Sequence, residues 1–270
     1  MALNAPILVQ APAITPSRYG LLSVADRPTP PDSHWPNGVE FVTNPVPFVG
    51  FDSTECDPDP VPDKDVPAGM PTDEGYPIRM WSGVSCRLVG TSLEELTSRA
   101  TTQLAAGEGP AIENAVWATT ERAFMGASTI DLGSGSLIGG LGALEDWLYT
   151  NYAGTGVIHV PRNLAPEAGR HNLVSRNAGR MSTLLETPVS FGAYPNTGPD
   201  GQAAATGKVW LVATGAVQLW MTDVRVYDSN TASWFDAKNN QAQVIAERTA
   251  VLTWDRVSAA VLVDADVVTP

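Results

Sequence analysis

The chain has 270 residues, a hydrophobic share of 43%, a charged share of 17% and a net charge of −13. That length holds one large domain or two small ones with a real core, and so little charge suits a surface largely covered by neighbours. With only three lysines (Lys64, Lys208 and Lys238) it lacks the basic patch of a nucleic-acid reader, but not the non-adhesive wall of a nucleic-acid container.

Fifteen of the 22 prolines lie in the first 77 residues. Proline fixes φ and donates no N–H, so Pro28-Thr-Pro-Pro31 and Pro58-Asp-Pro60-Val-Pro62 form neither a helix nor a central strand. Residues 1–35 therefore read as an extended arm, mobile alone in water and expected to take its fixed shape from another protein surface. Val39 to Thr43 alternates as a strand does. Asp52 to Glu74 carries eight acids against Lys64, either a solvated loop or a charged surface for a basic partner on a neighbouring subunit. Ile78 to Val89 reads as the returning strand, and the two strands are expected to form a two-stranded flap.

At Ser92 the pattern becomes helical. Ser92 with Glu95 spells a capping box, and Leu93, Leu96, Ala100 and Leu104 share one face. Gly107-Glu-Gly109-Pro110 interrupts; Pro110 suits a helix first turn, and Ile112, Ala115, Val116 and Thr119 to Ala123 resume the spacing. Two helices or one broken helix result. Residues 133–142 (GSGSLIGGLG) read as a glycine-rich loop before a short helix, Ala143 to Tyr152. Val157 to Val160 is a strand ended by Pro161, Leu164 to Met181 is expected to be helical, and Thr187 to Tyr194 is a strand. A polar turn region, Pro195 to Gly207, precedes the strand-like runs KVWLVATG, AVQLWMTDVRVYD, AQVIAERTAVLTWD and VSAAVLVDADVV.

Chemistry-bearing patterns are weak. The glycine run has no Gly-Lys-Ser/Thr, and Ile130-Asp131 is a poor strand for a dinucleotide fingerprint. His159 and His171 could serve a serine such as Ser175 or Ser190, but no nucleophile elbow is present, since Gly133-Ser-Gly135-Ser136 has the wrong spacing. His159 lies mid-strand, where a hydrogen-bonded structural histidine is the ordinary reading. Glu94-Glu95 and Glu145-Asp146 read as solvated helix faces. Asp264 and Asp266 share one side of a last strand, a minimal donor pair for a divalent cation. His34, His159 and His171 with Cys56 and Cys86 build no four-ligand zinc site. The two cysteines read as reduced thiols, with pairing as the alternative. No catalytic, cofactor-binding or metal residue is assigned. No apolar run reaches transmembrane length, and Met1-Ala-Leu-Asn lacks the start of a secretion signal, so a cytosolic product is expected.

The stretch from Gln243 to Asp264, with Glu247-Arg248 on a strand, an aspartate turn at Asp255 and a closing apolar strand, looks like the end of phage coat proteins. Gly156-Val-Ile-His-Val-Pro161, a helix, and then Leu184-Leu-Glu-Thr-Pro-Val-Ser-Phe-Gly192 is similar to the middle of capsid proteins from phages of actinobacteria. By order of elements over residues 36–268, the chain resembles the Hong Kong 97-like major capsid family of tailed-phage heads and encapsulins.

The resemblance implies an α+β fold with an N-terminal arm at 1–35 and an extended flap, or E-loop, at 36–90. A spine helix with the start of the peripheral domain would occupy 91–132, an axial domain 133–207, and the strand-rich remainder of both domains 208–270. It implies a structural, non-enzymatic subunit of hexamers and pentamers in an icosahedral virion head. That head would be made in a host bacterial cytoplasm and would enclose DNA without sequence-specific binding. A decoration protein and a portal are partners it allows; it implies no cofactor and no membrane. Some family members cross-link a flap lysine to a neighbour's asparagine, and Lys64 is the only flap lysine, so noncovalent locking is expected. Trp35, Phe41, Phe51, Lys64 and Trp81 are the candidate inter-subunit contacts, the aromatics being equally fit for the subunit's own core. Other readings are a tail, head-completion or receptor-binding component of a virion, and an encapsulin-type compartment.

Overall fold

A computed structural model describes residues 12–30, 32–44, 49, 64, 69–87, 91–118, 123–152, 154–227, 238 and 241–265. The chain divides into two compact units, Met1–Ser17, Trp81–Glu108 and Val224–Glu247 in one, Arg18–Met80, Gly109–Asp223 and Arg248–Pro270 in the other.

In the larger unit the arm expectation fails for residues 18–26. A short helix, α1 (Leu21–Val24), buries Leu21 and Val24. The Arg162 guanidinium donates to the Arg18 carbonyl (3.0 Å), the Phe191 N–H to the Tyr19 carbonyl (2.7 Å), and the Leu21 N–H to Glu113 Oε1 (2.8 Å). Asp26 bridges to Gln218, and Trp35 is buried with Trp220 and Val251. Leu21 and Val24 find room on the subunit's own body, so the fixed shape of residues 18–26 needs no neighbour.

The flap pairs differently from expectation. β1 (Val39–Val42) runs antiparallel to β2 (Thr72–Gly75), inside the acidic stretch, with Val39 opposite Gly75. β3 (Pro77–Arg87) pairs instead with β12 (Gln241–Trp254). Gly75 allows this switch, because a Cβ there would lie 2.9 Å from the Leu252 carbonyl oxygen. Phe51, Cys56 and most of the acid run lie outside the described residues.

The spine is one helix, α2 (Leu93–Ala118), with Pro110 in its interior rather than at a first turn. An interior proline costs a helix about 3 kcal/mol, and buried residues on both sides of it, Leu96, Ala100 and Leu104 before and Ile112, Val116 and Trp117 after, hold the helix through. Thr119 lies outside the described residues.

The glycine run also departs from expectation. It is the end of β4 (Ile130–Ser136) and the start of α3 (Leu137–Asn151), with the Ser136 hydroxyl accepting the Gly139 N–H at 3.2 Å. Glycine serves close packing here: a Cβ at Gly140 would sit 2.4 Å from Val263 Cγ1. Leu137, Leu141, Leu144 and Leu148 form the buried stripe of α3, a gross gain of about 6–12 kcal/mol before ordering costs.

Two further corrections follow. The expected helix from Leu164 to Met181 is only α4 (Ala165–Arg170), after which β6 (Ser175–Asn177) and β7 (Arg180–Ser182) form a hairpin. Ala178 (φ 47°) and Gly179 (φ 85°) close it with two left-handed residues, the turn that matches strand twist. The run AVQLWMTDVRVYD breaks into β10 (Val217–Met221) and β11 (Arg225–Tyr227).

The larger unit is built on a seven-stranded mixed sheet ordered β4–β13–β9–β5–β8–β7–β6, where β5 is Val157–Pro161, β8 Pro188–Gly192, β9 Lys208–Thr214 and β13 Ser258–Asp264. β4 and β13 are parallel, as are β5 and β8; the other pairs are antiparallel. β5 is buried at every position, as a strand covered on both faces must be. Ile158 and Val160 join the core beneath α3, while His159 stacks on Phe124. β10 pairs with the second half of β12, Val217 opposite Trp254.

The smaller unit contains the first half of α2, where the Ser92 hydroxyl accepts the Glu95 N–H (3.2 Å) as the capping pattern requires. The Glu95 carboxylate turns instead to Arg99 at 2.7 Å. β11 pairs with the first half of β12, whose Ala242, Val244 and Ala246 are fully buried at period two.

Candidate functional site

The strongest candidate for chemistry in the sequence, His159 with Ser190, comes together on adjacent strands but not as an acid–base pair. His159 lies opposite Ser190 in the β5–β8 register, and each reaches Tyr194 rather than the other. The hydrogen bonds form a one-way chain. Thr214 Oγ1 donates to the Gly215 carbonyl (3.0 Å) and so accepts from His159 Nε2 (2.9 Å). His159 Nδ1 then accepts from the Tyr194 hydroxyl (3.0 Å), whose oxygen accepts from Ser190 Oγ (2.6 Å).

Burial drives the His159 imidazole down to about 3 and pushes the Tyr194 phenol well up. His159, Ser190 and Thr214 are wholly inaccessible. A neutral histidine with both nitrogens engaged and no route for a substrate is a structural crosslink between strands. His171 and Ser175 are exposed on α4's end and on β6, with no described group arranged around them as a base and nucleophile.

Two carboxylates, Glu113, which the sequence did not single out, and Asp255, read from it only as a turn residue, hold distant segments together. Glu113 on α2 accepts the Leu21 N–H through Oε1 and the Ala193 N–H through Oε2 (2.7 Å). Its burial raises its affinity for a proton, against the lowering effect of those two bonds and of Arg162. Gly20 and Gly192 make room for it; a Cβ on either would press into the carboxyl group. Asp255 accepts from Asn44 N (3.0 Å), from Asn44 Nδ2 (2.7 Å) and from the Tyr152 hydroxyl (2.6 Å). Burial first, then the Asp255 hydrogen bond, pushes Tyr152 up to about 12. Glu113 stands between Ile112 and Asn114 within a helix and Asp255 between Trp254 and Arg256 after a strand, and neither setting marks such a node in the sequence.

Among the described residues, no group of three or more His, Cys, Asp or Glu is placed to hold a metal ion. Asp264 is engaged by Lys208 Nζ at 2.7 Å, and Asp266 lies outside the described residues. Cys86 is half-buried, its thiol donating to the Arg87 carbonyl. Among the described residues, no helix is long and apolar enough to cross a membrane.

The candidate contact residues are dispersed. Trp35 is buried among Trp220, Val251 and Val39. Phe41 is half-buried and lines a small cavity with Tyr76, Ile78 and Trp254. Lys64 is exposed, and Trp81 on β3 is 71% exposed. The sequence did not point to Tyr149, Leu184 and Leu185, which are more exposed than Trp81; a Leu-Leu pair followed at once by Glu-Thr-Pro was the available signal.

No family model and no curated protein matches the sequence. Solved structures do. The capsid of a native GTA particle is 11% identical with a TM-score of 0.56, covering 98% of this chain and 96% of that one. A structure from Mycobacterium phage Bobi is 11% identical with a TM-score of 0.55 and the same coverages. An encapsulin complex from Synechococcus elongatus is 12% identical with a TM-score of 0.56, covering 98% of this chain and 94% of that one. The likeness runs nearly end to end, and the chain has the Hong Kong 97-like phage capsid fold.

Proposed function

We propose that this chain, on its Hong Kong 97-like fold, is the structural subunit of a self-assembling shell, the icosahedral head of a tailed phage built from hexamers and pentamers. The observation that carries the reading is coverage: the fold is shared over 98% of this chain and 96% of a particle's capsid subunit. A likeness that runs nearly end to end, rather than over one part of the chain, supports a subunit whose whole length serves the shell.

The physics agrees. An acidic chain, at −13, makes a wall along which packed DNA slides without adhering. Trp81, on the exposed face of β3, is the best placed of the sequence-derived contacts, and residues 1–17 are what remains of the arm for wrapping a neighbour. On this reading α2 is the spine helix, residues 36–90 the flap, and the seven-stranded sheet with α3 the region nearest the axes. A decoration protein, a portal and enclosed DNA are the partners, and the virion is the location. Tail, tube and head-completion roles are the weaker virion alternatives.

A second reading is an encapsulin-type compartment, because an encapsulin matches at the same TM-score of 0.56 as the GTA capsid. Negative-stain microscopy of the purified protein tests the shared claim: closed shells support it, whereas tubes, isolated rings or monomers refute it. Nuclease treatment of the particles separates the two readings, since a head retains protected DNA and a compartment retains an enzyme cargo.

A further inference from the structure

The larger unit carries its charge unevenly. Ala123 to Pro161 contains Asp131, Glu145 and Asp146 and no lysine or arginine, while Arg162 to Arg180 contains four arginines against Glu167 alone. On the acidic side three large apolar side chains face water: Tyr149 on α3 at 82% exposure, Leu184 at 84% and Leu185 at 74%. Each forgoes the gain that burial would supply.

The leucines are held out by a built turn. The Thr183 and Thr187 hydroxyls donate to the two oxygens of Glu145, the latter at 2.7 Å. The Thr183 N–H donates to the Thr187 carbonyl (3.0 Å) and the Glu186 N–H to the Thr183 carbonyl (3.2 Å), with Glu186 at φ 65°. A turn pinned in this way loses little freedom on meeting a partner. Between it and α3 lies an open cleft of about 740 Å³ whose rim includes Asp146, Tyr149, Leu185 and Glu186.

We propose that this face, Tyr149 with Leu184 and Leu185 rimmed by Asp146 and Glu186, docks a second copy of this chain through that copy's Arg170, Arg176 and Arg180. The inference rests on the shell reading and names the surface by which its rings close. Charge complementarity selects the occupant. The three arginines are exposed, on α4 and on the hairpin that ends the sheet at β6, while α3 packs on β13, β4 and β9 toward the sheet's other end. The Leu184–Leu185 turn joins β7 to β8, at the opposite end of β7 from the Ala178–Gly179 turn that Arg176 and Arg180 flank. Two unlike patches make a head-to-tail contact, which closes into a ring where the rotation between copies closes. The arginines have only loose partners at present: Arg180 meets the exposed Asp26 at 3.3 Å and Arg176 lies 5.8 Å over the Tyr19 ring. Exposed pairs of that kind exchange at little cost.

The test uses the full-length chain and sedimentation velocity at physiological salt. Leu184→Ser with Leu185→Ser, at exposed positions that leave the core untouched, should cut the assembled fraction about tenfold or more while the subunit's melting temperature stays unchanged. Asp146→Arg with Glu186→Arg, and separately Arg176→Glu with Arg180→Glu, should do the same, and the four together should restore assembly. Variants that assemble like the wild type overturn this surface and leave the shell reading standing, as do charge reversals that fail to rescue each other. A wild-type chain that remains monomeric at every concentration overturns both.

Discussion

Acidification should strain the protein at His159 before it titrates most of the carboxylates. The imidazole is wholly buried between Phe124, Tyr194 and Thr214, and burial holds it at about 3, against 6.5 in an unfolded chain. The sign follows from proton counting. Between those two values the unfolded chain binds a proton that the fold refuses, so stability is full above pH 6.5 and falls as pH falls toward 3. At 1.36 kcal/mol per unit the gap amounts to about 5 kcal/mol at its fullest, and to about 2–3 kcal/mol by pH 4.5. Carboxylates contribute to any acid profile, so the quantity to measure is the difference between wild type and His159→Gln in urea unfolding from pH 7 to pH 4. The variant loses the ring stack and starts less stable, but its side chain takes no proton. The difference should therefore narrow by about 1.4 kcal/mol per pH unit below 6. Parallel profiles would refute the reasoning, because they would mean that His159 protonates freely inside the fold.

Three further outcomes are expected. Glu113→Ala strands the N–H groups of Leu21 and Ala193 and should cost about 2–5 kcal/mol in urea unfolding, with earlier tryptic cleavage after Arg18; a loss below about 0.5 kcal/mol would contradict the anchoring role. Gly140→Ala forces a methyl to within 2.4 Å of Val263 and should destabilise by about 1–3 kcal/mol, whereas a gain in melting temperature would mean that α3 can lift off the sheet freely. Deleting residues 1–17 should leave the melting temperature of the subunit unchanged while closed shells fail to form, and intact shells from that truncation would remove the arm from the account.

Strands were legible wherever β-branched runs met turn residues, as at Val157 to Pro161 and Ser258 to Asp264, because burial on both faces selects such runs. The first half of α2 was legible from Ser92 and the Leu96, Ala100, Leu104 spacing. Its passage through Pro110 was not, since local propensity argues for a break and only packing on both sides overrides it. Glycine hid β4 and the start of α3, whose remainder was read from Ala143 onward: Gly140, which permits contact with Val261 and Val263, sits in a run that carries the signature of a loop. The stripe Leu137, Leu141, Leu144 and Leu148 was the signal to follow instead.

The anchoring of residues 18–26 had no local signature. It depends on Glu113, 92 residues away from Leu21, and on Tyr19 held at φ 69°. Proline marked Pro28 to Pro30 as non-helical, as they are, but nothing in the composition pointed to α1 at Leu21–Val24, nor does composition say whose surface an extended segment lies on. The exposed turn at Leu184 and Leu185 depends likewise on Glu145, which the sequence offers only as one more helix-face acid.

Electron cryomicroscopy of particles assembled from the purified 28.5 kDa chain, reconstructed without imposed symmetry, bears most directly on the claim that this fold builds a shell. The account predicts a closed particle in which copies of this one chain ring fivefold vertices and also local sixfold positions or, in the smallest shells, fivefold vertices alone. A helical tube, a single open ring or a discrete small oligomer would contradict it.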